Sequence, residues 1–164
     1  MSAESQASDL KNDTAATEKF ICFWLGDQEF ALPIAMVREV VPSPHITPLT
    51  SVSAFVLGII NLRGEIVAVL DIAMLFGLPP AHVTGNSRVV IVEHAGLTAG
   101  LMADRIEKVK ELAREAVAPP PMTLDTIRSN YLQGVVQLPD HPLMVMSLEH
   151  IMNTEELLAL RREP

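Results

Sequence analysis

Apolar and polar positions alternate in short blocks along this chain, with few long helical stripes. Phe20 to Leu25 is apolar, Gly26-Asp27 breaks the run, and Gln28-Glu29-Phe30-Ala31-Leu32 follows, which predicts strand, glycine-containing turn and strand. The stretch Gly58 to Ile72 reads as two apolar strands joined across a polar Asn61-Leu62-Arg63-Gly64 corner, where Gly64 supplies a positive φ or a tight turn. A degraded copy comes later. Gly134-Val135-Val136-Gln137-Leu138 precedes a Pro-Asp-His-Pro turn and the apolar run Leu143 to Leu148. The copy keeps the apolar framework and loses the arginine.

Other blocks repeat in the same order. Val89 to Val92, a turn at Glu93-His94-Ala95-Gly96 and the return Leu97 to Met102 mirror Phe20 to Leu32. Ala35 to Val40 is echoed by Ala103 to Val109, and prolines follow both, at Pro42 and at Pro119-Pro120-Pro121. Two hairpin-rich halves in one order indicate internal duplication. Small polar residues at Thr84-Gly85-Asn86-Ser87 place the boundary between halves, giving subdomains of about 19–84 and 85–148. One local signal conflicts with this picture. Ile34, Val37, Val40 and Val41, and likewise Ile106, Val109, Leu112 and Ala113, are spaced like a helix face, so periodicity alone predicts helix in both places, with a turn of helix leading into a strand as the alternative. Ala73 to Leu78 predicts one or two helical turns before Pro79-Pro80. Asn153 and Glu156 have capping-box spacing before Leu157, Leu158 and Leu160, which predicts a C-terminal helix over about 149–161. Residues 1–18 are polar and aperiodic and read as a disordered tail.

Composition agrees with strands. Hydrophobic residues make up 49% of the chain and aromatics only 4%, so Val, Ile, Leu and Met must fill the core. The fold class is therefore mainly β. A net charge of −8 without a basic run argues against nucleic acid and against an anionic membrane surface. No apolar run is long enough for a membrane span and residues 1–19 have no signal-peptide pattern, so a cytoplasmic protein without direct membrane insertion is expected. The single cysteine, Cys22, lies in an apolar run and reads as a small buried hydrophobe.

Catalytic motifs are missing. The five histidines show no paired ligand spacing, and His45, His94 and His141 fall in expected turns or loops, where solvation is the simple reading. Phosphate-cradling glycine motifs are absent too, so neither a metal nor another cofactor is expected. Asp71 reads as the cap of the turn after its strand. Met36, Met102, Met144 and Met146 read as core filler. Taken alone, Glu39 is a solvated edge charge and Arg63 a solvated turn residue.

The pattern Gly58-x-x-Asn61-Leu62-Arg63-Gly64-x-x-Val67-x-Val69-x-Asp71 resembles the signature of the CheW family of chemotaxis coupling proteins. So do Phe20-x-x-Phe23-x-Leu25-Gly26-x-x-x-Phe30, Val37-x-Glu39 and Tyr131-Leu132-x-Gly134, so that the likeness runs from about Phe20 to Leu160. Ala68 stands where that family often has proline. The resemblance implies a single domain over 19–160 made of two SH3-like five-stranded β-barrels with short helices. It implies a non-catalytic adaptor joining the cytoplasmic tip of chemoreceptors to the regulatory domain of a CheA-type histidine kinase, recruited to membrane-associated receptor arrays. An adaptor of a type IV pilus or other chemosensory pathway is the alternative. By resemblance, Val37, Glu39, Gly58, Asn61 and Arg63 are the residues expected at receptor or kinase contacts.

Overall fold

The computed structural model describes residues 16–42, 45–49, 55–121 and 129–154. The strands are β1 (Thr17–Leu25), β2 (Gln28–Pro33), β3 (Val37–Pro42), β4 (Val56–Leu62), β5 (Glu65–Leu70), β6 (Arg88–His94), β7 (Leu97–Ala103), β8 (Arg105–Ala113), β9 (Leu132–Gln137) and β10 (Pro142–Met146). A short helix α1 (Leu148–Met152) follows. The strands form two five-stranded sheets, in the orders β8-β1-β2-β10-β9 and β3-β6-β7-β5-β4. The fold is mainly β, as expected.

The duplication is real, and residue registers prove it. Gly58 pairs with Val69 and Ile60 with Val67 across β4–β5, while Gly134 pairs with Val145 and Val136 with Leu143 across β9–β10. Both copies also receive an isolated bridge on the residue after the glycine, Thr47 to Ile59 and Ala118 to Val135. Even the irregularities match. The register shifts where β3 meets β6, between Val37 and Glu39, and where β1 meets β8, so that Arg38 and Glu107 are the extra residues of equivalent bulges.

The boundary near 84–85, expected between subdomains 19–84 and 85–148, separates these repeats, while each sheet draws strands from both sides of it. The first sheet takes β1 and β2 from the first repeat and β8, β9 and β10 from the second. The other sheet takes β3, β4 and β5 from the first repeat and β6 and β7 from the second. The cause lies in two joints. A reversal of two residues needs a positive φ, and the described residues have it at Gly26, at Arg63-Gly64 and at Ala95-Gly96. Between β2 and β3 stands a 3-10 turn, Ile34–Met36, and between β7 and β8 only Asp104, none of them with positive φ. At these joints the chain cannot turn back, so it crosses to the other sheet. Asp104 fastens its crossing by accepting a hydrogen bond from Gly26 N at 2.6 Å while its own N–H donates to Trp24 O at 2.9 Å.

Strand alternation then builds three cores. Phe20, Cys22, Ala31, Val136, Leu143 and Val145 fill the inside of the first barrel. Ile60, Val67, Val69, Val89, Ile91 and Met102 fill the second. The opposite faces of β1, β2, β6 and β7 supply Ile21, Phe23, Phe30, Leu32, Val90, Val92 and Leu101 to a larger core between the barrels. Leu148, Ile151 and Met152 of α1 close that core. Met102 and Met146 are fully buried and Met36 and Met144 pack against the central core, in keeping with filler roles.

The helix-like spacing at Ile34 and at Ile106 resolves differently in the two places. The stretch from Ile106 to Ala113 is strand, because its pairing with β1 outweighs its helical spacing, whereas at Ile34 a single 3-10 turn runs into a strand, as that spacing also allowed. Helix α1 begins after Ser147 and Asn153 is its C-cap; Glu156 and the leucines beyond, on which the rest of the expected C-terminal helix depends, lie outside the described residues. Asp71 occupies the N-cap position of the 3-10 turn Ile72–Phe76, yet makes no cap bond with its side chain. Its Oδ2 instead accepts from Ala81 N at 3.0 Å, tying down the inter-repeat connection.

Candidate functional site

The corner of the β4–β5 hairpin is fixed by its backbone before any side chain acts. Arg63 and Gly64 have φ values of 50° and 88°, the two left-handed positions of a type I′ turn. Asn61 holds this turn, its Oδ1 accepting from Gly64 N at 2.9 Å. A left-handed conformation is disfavoured for arginine and suited to glycine or asparagine. Arg63 therefore sits where backbone preference would select another residue.

Its guanidinium donates a hydrogen bond to the Glu39 carboxylate. The two come from opposite edge strands of their sheet, β3 and the end of β4. The Arg63 side chain remains 66% exposed and that of Glu39 27%. The hydrogen bond from Arg63 is the main cause holding the Glu39 carboxyl below its ordinary range. Partial desolvation opposes it, and the charges of Arg63 and Arg38 reinforce it. Glu39 in turn raises the pKa of Arg63.

Arg38, the bulge residue, is aimed the other way. Its Nη1 donates to Glu65 Oε1 at 3.1 Å and Thr98 Oγ1 at 3.4 Å, and lies 4.0 Å from Glu93 Oε2. One strand thus contributes to two adjacent polar clasps. Ile66, one residue beyond Glu65, is 61% exposed and leaves an apolar side chain at the same hairpin.

Of the five residues singled out, the structure brings Asn61, Arg63 and Glu39 together at this corner. Val37 is half-buried and packs on the core between the barrels. Gly58 is buried, and a Cβ there would lie 2.3 Å from the Thr47 carbonyl oxygen. Its task in the fold is to admit the Thr47 backbone. Sequence reasoning missed Arg38, Glu65, Glu93 and Thr98 as members of the corner. The one signal available was the opposite charge of Arg38, between Val37 and Glu39, and Glu65, beside Gly64.

A second polar cluster lies on the other barrel. Glu29 is 1% exposed and receives Lys110 Nζ on Oε2 at 2.9 Å, while His141 Nε2 lies 2.5 Å from Oε1. Trp24 stands beside it, donating through Nε1 to Glu107 Oε2 at 2.7 Å, with Arg105 over its ring at 4.6 Å and His141 at 5.1 Å between ring centres. His141 is therefore tied to the buried Glu29 carboxylate, contrary to the reading of a solvated turn histidine. This cluster supports the fold and presents no arrangement for catalysis: both Glu29 carboxylate oxygens are engaged, by Lys110 and His141, and the group is shut away from substrate. Among the described residues, no group of histidine, cysteine or acidic side chains is placed to hold a metal ion, and no helix is long and apolar enough to cross a membrane.

Comparison with known proteins agrees with this architecture. The family model described as "CheW-like domain" matches residues 19–156. The chemotaxis protein CheW of Klebsiella aerogenes is 27% identical over 157 residues, covering 96% of this chain and 94% of the relative. Protein PilI of Pseudomonas aeruginosa is 27% identical over 127 residues, covering 77% and 71%. The crystal structure of the scaffolding protein CheW from Thermoanaerobacter tengcongensis is 31% identical and superposes with a TM-score of 0.78 over 86% of this chain and 92% of the other. Sequence motif, duplicated sheets and whole-length matches converge, and this chain belongs to the family of CheW-like domains, non-catalytic adaptor modules of chemotaxis.

Proposed function

We propose that this protein couples chemoreceptors to a CheA-type histidine kinase, with the Arg63–Glu39 corner as a partner-binding surface. The observation that carries the reading is Arg63 itself. An arginine kept at φ 50° and largely exposed, with its guanidinium clasped to Glu39, spends backbone preference to hold a charged group in a fixed place. Arginine is enriched at interface hot spots, and a guanidinium fixed before binding loses less entropy when a partner arrives. Asn61 acts through the turn, and Val37 and Gly58 act through the packing beneath it. Ile66 supplies an apolar contact within a polar rim, the usual anatomy of a protein interface. In this role the protein works in the cytoplasm at membrane-associated receptor arrays, through contacts with proteins rather than lipid.

A second reading changes the pathway. The likeness to PilI favours an adaptor in another chemosensory system, which would use the same corner.

The test is capture of the CheA-type kinase from the same genome by wild type, Arg63→Ala and Glu39→Ala, with folding checked by circular dichroism. The expected result is at least tenfold weaker capture by folded Arg63→Ala. Unchanged kinase capture with lost capture of receptor cytoplasmic fragments would assign the corner to the receptor. Unchanged binding of both partners would remove the corner from the interface, and no kinase binding by wild type would reject kinase coupling.

A further inference from the structure

We infer that the two repeats are obligate folding partners, each completing both barrels of the other, and that the covalent connection between them is dispensable once they have interlocked. The pairing pattern carries this. Within the first repeat the backbone pairs are β1–β2 and β4–β5, and within the second they are β6–β7 and β9–β10. Every other strand pair, β1–β8, β2–β10, β3–β6 and β5–β7, joins one repeat to the other. Alone, a repeat would hold two separate hairpins and one strand, β3 or β8, with no neighbour at all. Isolated two-stranded hairpins are marginal in water, because two strands bury too little apolar surface.

The cores follow the same rule. The first barrel packs Phe20 and Cys22 of one repeat on Val136 and Leu143 of the other. The second packs Val67 and Val69 on Val89 and Ile91. Neither interior exists until both repeats are present. The proposed partner surface shares this dependence, since Arg38 from the first repeat reaches Glu93 and Thr98 of the second.

The connection itself does little of this work. From Gly77 to Asn86 every residue is exposed or partly so, and an added side chain at Gly85 would meet nothing within 4 Å. The connection is held by Leu78 N donating to Ala73 O at 3.0 Å, by the Ala81–Asp71 bond and by a Thr84–Ser87 turn at its end, where Ser87 N donates to Thr84 O at 3.1 Å, Thr84 N to Ser87 Oγ at 2.9 Å and Arg88 Nη1 to Gly85 O at 3.1 Å. A cut after Gly85 opens that turn and leaves all eight strand pairs intact.

The experiment inserts a specific protease site between Gly85 and Asn86 of the full chain and cleaves the folded protein. The cut halves are expected to elute as one species of unchanged size, with unchanged strand circular dichroism and a urea midpoint that now rises with protein concentration. Separated in urea and returned singly to buffer, each half should show no protected backbone amides, whether soluble or aggregated. Remixing the halves before dilution should restore the original species. A half that folds alone with protected amides would overturn the inference, as would a cut protein that separates or unfolds without denaturant. Loss of binding partners is not the readout, so this result stands apart from the fate of the proposed function.

Discussion

Replacing Gly58 with alanine tests whether the barrel is closed as described. An alanine Cβ would stand 2.3 Å from the Thr47 carbonyl oxygen and 2.8 Å from both the Thr47 carbonyl carbon and Ile46 Cγ2. Two of these atoms are backbone, so relief requires the 45–49 segment to move. That movement breaks the pair Thr47 N to Ile59 O at 2.8 Å and Ile59 N to Thr47 O at 2.9 Å, each worth about 1 kcal/mol net. A φ of 153°, a region alanine resists, adds roughly 1 kcal/mol or more. The expected loss is about 3 to 4 kcal/mol, a large share of the roughly 5–15 kcal/mol that holds a domain folded. Equilibrium urea denaturation followed by circular dichroism measures it.

The duplication provides internal controls. Gly134→Ala meets Ala118 O at 2.4 Å without a positive φ, so it should cost somewhat less, about 2 to 3 kcal/mol. Gly64→Ala has φ 88° and open space, so it should cost only about 1 kcal/mol. A Gly58→Ala protein within about 1 kcal/mol of wild type, or a Gly64→Ala protein equally damaged, would refute this role of Gly58. Any partner binding lost in Gly58→Ala should return when the fold is restored by a stabilising osmolyte.

Other outcomes follow from the charged and reactive groups. Lys110→Ala should destabilise by about 3 kcal/mol by leaving the buried Glu29 with His141 as its remaining partner, and the paired replacement Glu29→Leu, Lys110→Leu should recover much of that; urea titration of the three proteins decides. Glu39 has a depressed folded pKa, so its contribution is present above the ordinary value of 4.5 and is lost as pH falls through the folded value; Arg63→Ala should flatten this part of the stability profile between neutral and acid pH. Burial pushes the Cys22 thiol up from 9.0 to about 12, so the stability linked to it is complete below pH 9 and declines as pH rises towards 12. In neutral buffer, maleimide labelling of Cys22 should therefore proceed at the rate of unfolding, and labelling as fast as a free thiol would contradict its burial.

Much of this architecture was legible because local rules dominate hairpins. Gly26, Arg63-Gly64 and Ala95-Gly96 mark reversals, and the Gly-branched-branched-polar-Leu pattern announced both the hairpin and its copy. The exchange of strands was not legible from the same signals. It follows from what Ile34–Met36 and Asp104 fail to do, and a missing turn does not reveal which distant strand will accept the chain. Polar partners were hidden for a related reason. Glu29 and Lys110 are 81 positions apart and Arg63 and Glu39 are 24 apart, so only the folded sheets bring them together. Gly58 shows the opposite difficulty. Its place in a motif was plain, but whether it served a partner or the packing depended on Thr47, a residue without any pattern of its own.

The single tryptophan gives the molecule a built-in optical reporter. Trp24 lies on β1, beside the seam with β8, and its indole is bracketed by Arg105 and His141 while its N–H is held by Glu107. A charge over the ring and a hydrogen bond on its nitrogen both tune emission, and both Arg105 and Glu107 arrive on a strand from the other repeat. The colour of this one fluorophore therefore registers the joining of two distant stretches of chain, and does so without a label.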